Sequence, residues 1–110
     1  MNDKVKLKKV TGDNWEAVVE LEFGAGQEDL AASNLYSIAE AQFDFHARPR
    51  GVYAGKCVVG LLMYDVQKTK GKAQEPSIYR FMIDRKHQGK GYGRTALSKA
   101  LEEIRERSPG

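Results

Sequence analysis

The stretch Gln88-Gly89-Lys90-Gly91-Tyr92-Gly93-Arg94 lies between an apolar run, Ile78 to Ile83, and a helical pattern, Thr95 to Arg105, and it constrains this chain more than any other feature. Glycines at three alternate positions let the backbone turn tightly and let a ligand approach the main chain. The helix that follows exposes unpaired N–H groups and the positive end of its dipole. Strand, glycine turn and helix N-terminus in this order make a cradle for a phosphate or pyrophosphate. Spacing separates the loop from two others of similar composition. A P-loop requires Gly, four residues, then Gly-Lys-Ser/Thr, and no glycine-lysine pair here completes it. The dinucleotide fingerprint fails too, because counting from Gly89 and Gly91 its last glycine position holds Arg94.

The pattern that remains, Gln-x-x-Gly-x-Gly at Gln88, Gly91 and Gly93, resembles the acyl-coenzyme A pyrophosphate loop of the GNAT N-acetyltransferases. Four further pieces look like the bacterial spermine/spermidine branch of that superfamily: Tyr79 to Asp84, Asn14-Trp15-Glu16, Ala32 to Ala41, and Gly51 to Ala54. The resemblance covers nearly the whole chain. It implies an enzyme that moves the acetyl group of acetyl-CoA to a primary amine, in first place a polyamine such as spermidine or spermine, by direct attack in a ternary complex. On the same resemblance Phe81, Met82 and Ile83 meet the pantetheine arm through main-chain groups, and Gln88 orders the loop. Gly89, Lys90, Gly91, Tyr92, Gly93 and Arg94 then offer amides to the pyrophosphate, with the Lys90 and Arg94 side chains adding charge.

Composition narrows the alternatives. With 110 residues there is room for one domain with one core. The longest apolar run, Val58 to Tyr64, is far short of a membrane span, and Lys4, Lys6, Lys8 and Lys9 alternate with apolar residues instead of preceding a signal segment. A cytoplasmic protein with no membrane partner is the expectation. The single cysteine, Cys57, excludes an internal disulfide framework and reads as a strand residue near a turn. His46 and His87 have no ligand partner at useful spacing, so no metal is assigned. The net charge of +3 conceals a division: Asp13 to Asp44 carries eight acids and no lysine or arginine, whereas Phe45 onward carries fourteen basic residues and six acids. Such a split suits a cationic acceptor and an anionic cofactor on different parts of one molecule. The bases of the last helix alternate with acids and no aromatic-interleaved patch appears, so no nucleic-acid partner is expected.

Periodicity predicts the order βααβββα. A strand runs from Val5 to near Val10, and a first helix, capped by an Asp13/Glu16 box, extends through Trp15, Val18, Val19 and Glu22 to near Gly24. Ser33 or Asn34 caps a second helix with Leu35, Ile38, Ala39 and Phe43 on its apolar stripe, and Arg48-Pro49-Arg50-Gly51 stops it. Val52 to Ala54 and Cys57 to Asp65 flank the two-residue turn Gly55-Lys56, with a bulge at Gly60. Gln67 to Glu75 reads as a loop, Pro76 to Asp84 as a strand, and a last helix carries Ala96, Leu97, Ala100, Leu101 and Ile104.

As a fold class this is α/β of the α+β type: a GNAT-like mixed, mostly antiparallel sheet flanked by helices. The resemblance implies that it is a single domain, residues 1–110, truncated after the third helix, without the later strands, the fourth helix and the tyrosine commonly assigned as general acid. Slow or absent turnover is the expectation, the alternative being a coenzyme A binding fragment. The acceptor amine must lose a proton before attack. Candidates for acid or base are Glu28, Asp84, Tyr64 and Tyr79, and for holding the amine Glu28, Asp29, Tyr36 and Glu40. An open edge at Ile78 to Ile83, with an uncovered helix face at Leu97, Leu101 and Ile104, predicts a homodimer or other self-association.

Overall fold

A run as apolar as Val58 to Tyr64 is stable only as a strand covered on both faces, and it forms the centre of the sheet. The computed structural model describes residues 4–24, 33–66 and 77–107. Its elements are β1 (Val5–Lys9), α1 (Trp15–Val19), α2 (Asn34–Phe43), β2 (Ala47–Ala54), β3 (Cys57–Asp65), β4 (Ser77–Ile83), a 3₁₀ turn (Arg85–His87) and α3 (Tyr92–Arg107). The order is the expected one, with the 3₁₀ turn inserted before the glycine loop. The four strands pair in sequence order, each antiparallel to the next, leaving β1 and β4 as edges among the described residues. The strand expected at Pro76 to Asp84 is described from Ser77, and the loop expected at Gln67 to Glu75 lies outside the described residues.

Two layers cover the sheet. Val5, Val52, Val59, Leu62 and Tyr64 pack against Ala96, Ala100 and Ile104 of α3, while Leu61, Met63 and Met82 pack against Val18 of α1 and Ile38 of α2. Gly55 turns the β2–β3 hairpin with a φ of 66°. In the β2–β3 register Val52 faces Gly60 and Tyr53 faces Val58, so the expected bulge falls on the neighbouring residue, Val59. Gly60 is required for a different reason: a Cβ there would lie 2.5 Å from the Met82 carbonyl oxygen. The close approach of β3 and β4 therefore depends on its missing side chain.

Several expectations are corrected. Helix α1 is only five residues long and has no side-chain cap. Asn14 holds the N-cap position, but its Oδ1 accepts the Thr11 N–H at 2.8 Å and its Nδ2 donates to the Lys9 carbonyl at 3.0 Å, so Asp13 and Glu16 make no capping box. In α2 the cap is Ser33, whose side chain accepts the Tyr36 N–H. Its buried face is Asn34, Ser37 and Ile38, whereas Leu35 is 55% and Phe43 91% exposed. The polar members are held: Asn34 Nδ2 donates to the Val18 carbonyl at 2.9 Å, and the Ser37 hydroxyl donates to the Ser33 carbonyl at 3.0 Å. Arg48 to Gly51 does not stop the helix; it lies within β2. The face of α3 expected to be open is largely covered, since Ile104 is buried against the sheet and Leu97 packs on the same cluster, leaving Leu101 37% exposed.

Candidate functional site

A cavity of about 470 Å³ opens where β4 ends and α3 begins, lined by Phe23, Phe81, Met82, Ile83, His87, Gln88, Gly89, Gly91, Tyr92 and Gly93. Its walls are thus the strand end, the glycine loop and one residue of the segment after α1. Of the ten residues expected at the cofactor, eight line it; Lys90 and Arg94 are exposed on the same loop and helix turn. Gly89 and Gly91 have φ values of 80° and 82°, a region that costs a residue with a side chain about 1–2 kcal/mol. A Cβ on Gly89 would meet nothing within 4 Å, so its backbone faces open space. Gly93 serves packing: a Cβ there would stand 3.3 Å from the Phe81 ring, so its absence lets the first turn of α3 sit close on β4. The Gln88 side chain donates to the Ile83 carbonyl at 3.0 Å and closes the loop on the strand. The Gly91 carbonyl accepts from the Thr95 N–H and hydroxyl, which puts the N-terminus of α3 immediately after the loop. Positive-φ glycines, a helix N-terminus and neighbouring Arg85, Lys86, Lys90 and Arg94 fit a pyrophosphate, and the Phe23, Phe81 and Met82 side fits an apolar arm.

A second cluster lies along the same strand toward its start. Arg80 Nη1 contacts Glu40 Oε1 at 2.7 Å and donates to the Ser37 hydroxyl at 3.1 Å. Its guanidinium sits 5.6 Å from the Tyr36 ring centre and 5.5 Å from that of Tyr79. Tyr79 marks a shift in the β3–β4 register, where Met63 faces Arg80 and Tyr64 faces Ile78. Burial in first place, then the negative charge of Asp44 and Glu40, raises the Tyr79 hydroxyl above its usual value, against the lowering effect of Arg80. Tyr36, Glu40 and Tyr79 are thus brought together, and Arg80 and Asp44 join them without having been singled out from the sequence. Nothing local marked them, since Arg80 and Glu40 stand on different elements.

The remaining candidates fall elsewhere. Tyr64 is fully buried in the α3 layer, its hydroxyl bonded to Glu103 Oε2, which also contacts Arg50 Nε at 2.8 Å. It does not line the cavity. Asp84 is buried at the strand end with its Oδ1 accepting the Glu22 N–H at 2.8 Å. Glu28 and Asp29 lie outside the described residues. Among the described residues no group of three metal-ligating side chains occurs, and no helix is long and apolar enough to cross a membrane.

The family described as Acetyltransferase (GNAT) family matches residues 15–110. The chain is 28% identical over 108 residues to the spermine/spermidine N(1)-acetyltransferase of Bacillus subtilis (strain 168), covering 93% of this chain and 69% of that protein. Among solved structures, a GNAT family acetyltransferase from Staphylococcus aureus superposes with a TM-score of 0.68 at 15% identity, covering 94% of this chain and 79% of that one. A chimeric spermidine N-acetyltransferase from Vibrio cholerae gives 0.68 at 16% identity, covering 96% and 64%. A Bacillus subtilis acetyltransferase in complex with CoA gives 0.57 at 17% identity, covering 94% and 58%.

Proposed function

The chain belongs to the GNAT acetyltransferase family of acetyl-CoA-dependent enzymes, and on that premise we propose that it acetylates a primary amine of a polyamine such as spermidine or spermine. The observation that carries the reading is the cavity at the β4–α3 junction, where an anion cradle and an apolar groove are continuous. Acetyl-CoA supplies the activated acyl group. The amides of Gly89 to Arg94 bind its pyrophosphate, and the Phe81 to Ile83 main chain, on the outer edge of β4, lies along the acyl-pantetheine arm as a neighbouring strand would. Catalysis of this kind rests on holding amine and thioester in line and on donors aimed at the carbonyl oxygen, which an edge-strand amide provides.

The polyamine assignment is supported by the second cluster. Arg80 pairs with Glu40 and lies over the rings of Tyr36 and Tyr79, so the positive group of an acceptor is met in this cluster chiefly by the negative charge of Asp44. Tyr79, whose hydroxyl keeps its proton at neutral pH, stands in this cluster and not among the residues lining the cavity, so no acid for the departing thiolate is assigned. Tyr64, enclosed in the α3 layer, has no part in this scheme, and Asp84 acts through its hold on Glu22 and not as a base.

The test is thiol release from acetyl-CoA with and without spermidine, alongside the melting temperature with coenzyme A. Release that depends on spermidine is expected. A melting temperature unmoved by saturating coenzyme A overturns the cofactor reading. A rise in melting temperature with no thiol release for any polyamine overturns the acceptor and leaves a coenzyme A binding fragment.

A further inference from the structure

Asp84 follows the last residue of β4 and is 7% exposed, a burial that a carboxylate tolerates only with partners. Its Oδ1 accepts the Glu22 N–H at 2.8 Å, and its Oδ2 lies 3.8 Å from Nε2 of His87. The main chain repeats the connection, because the Arg85 N–H donates to the Glu22 carbonyl at 2.8 Å. Residue 22 is therefore gripped through both of its backbone groups, once by the Asp84 side chain and once by the turn that Asp84 opens. The next residue, Phe23, lines the cavity, and so does His87. Asp84 itself is not among the described lining residues. Phe23 comes from a segment without helix or strand, residues 21–24, so no ladder of its own fixes it.

Resting on the acyl-CoA reading of this cavity, we infer that Asp84 is a positioning residue for acetyl-CoA: its carboxylate latches segment 21–24 to the end of β4 and thereby sets Phe23 as an apolar wall of the groove. The latch joins groups 62 residues apart in sequence. Without the carboxylate the Glu22 amide loses its acceptor and, of the two contacts that tie residue 22 to the end of β4, only the Arg85 amide remains, so Phe23, which also packs on the α1–α2 side of the core, is set less firmly and the groove wall loosens. An amide side chain at position 84 keeps an oxygen for Glu22 while removing the charge, so the conservative variant separates the latch from simple charge.

The experiment is calorimetric titration of coenzyme A into the wild type and the variants Asp84→Ala, Asp84→Asn, Phe23→Ala and the double variant Asp84→Ala/Phe23→Ala. The expected result is an affinity about tenfold weaker for Asp84→Ala and for Phe23→Ala, within about threefold of wild type for Asp84→Asn, and about tenfold weaker for the double variant, since both changes remove one wall. An unchanged Asp84→Ala, an Asp84→Asn as weak as Asp84→Ala, or a double variant about a hundredfold weaker overturns the inference. Absence of coenzyme A binding by the wild type overturns the acyl-CoA reading, and the inference with it. Should Asp84→Ala fail to fold, amide exchange at Glu22 in the wild type decides: slowing on addition of coenzyme A supports the latch, and no change overturns it.

Discussion

Gly60→Ala should destabilise the protein and displace the strand that carries the cofactor groove. The new Cβ would lie 2.5 Å from the Met82 carbonyl oxygen and 2.8 Å from Ile83 Cδ1. The methyl end of Ile83 can turn aside, but the Met82 oxygen belongs to the main chain of β4, so the strand itself must move. Overpacking of this kind costs about 1–3 kcal/mol. Replacing a strand glycine by alanine returns about 0.5–1 kcal/mol through the unfolded chain. The net is a loss of up to about 2.5 kcal/mol, which for a domain of this size lowers the melting temperature by up to roughly 10 °C. Because Met82 and Ile83 line the cavity, coenzyme A affinity should fall in the same variant. Differential scanning calorimetry against Gly12→Ala is the assay, since a Cβ on Gly12 meets nothing within 4 Å and that change should be neutral or slightly stabilising. A Gly60→Ala protein as stable as the Gly12→Ala control would refute the close-approach argument.

Gly91→Val places a branched side chain at a φ of 82°, and calorimetry should register coenzyme A binding at least about tenfold weaker; equal affinity would remove the cradle. Glu103→Ala leaves the Arg50 guanidinium, 4% exposed, without its carboxylate, and because Glu103 itself is 25% exposed the loss should lie near the lower end for buried pairs, about 3 kcal/mol. A shift in the urea midpoint equivalent to less than about 1 kcal/mol would contradict it. Tyr79 is held neutral above its usual value by burial and by Asp44 and Glu40, so the unfolded chain ionises first and its contribution to stability, complete below pH about 10, is lost as pH rises through the folded value. Tyr79→Phe should flatten the alkaline fall in stability, and an identical fall would count against the assignment. The β4 edge is open among the described residues, so self-association is expected at tens of micromolar and, if the proposed docking of coenzyme A along that edge holds, should be reversed by coenzyme A; sedimentation of a strict 12.3 kDa monomer would oppose it.

The glycine loop, the Gly55-Lys56 turn and the order of the elements were legible in the amino-acid sequence because each is written locally. Positive φ at Gly89 and Gly91 follows from residues side by side, and the apolar run of β3 declares a strand covered on both faces. Local periodicity tells that one face of an element is buried, but not which neighbour buries it. That is why the stripe of α2 was misassigned: Asn34 and Ser37 go inside because the Val18 and Ser33 carbonyls await them, and Leu35 and Phe43 stay outside. Arg48 to Gly51 looked like a helix stop until pairing with Leu61 to Tyr64 made it strand. Tyr64 resembled a site residue, yet pairing within the sheet turns it toward α3, where Glu103 takes its hydroxyl. The contacts that fix the candidate site, Arg80 with Glu40 and Asp84 with Glu22, span 40 and 62 residues. No short-range spacing records such partners; they meet only when the sheet closes, and for Asp84, the buried member among them, desolvation of the carboxylate demands the partner.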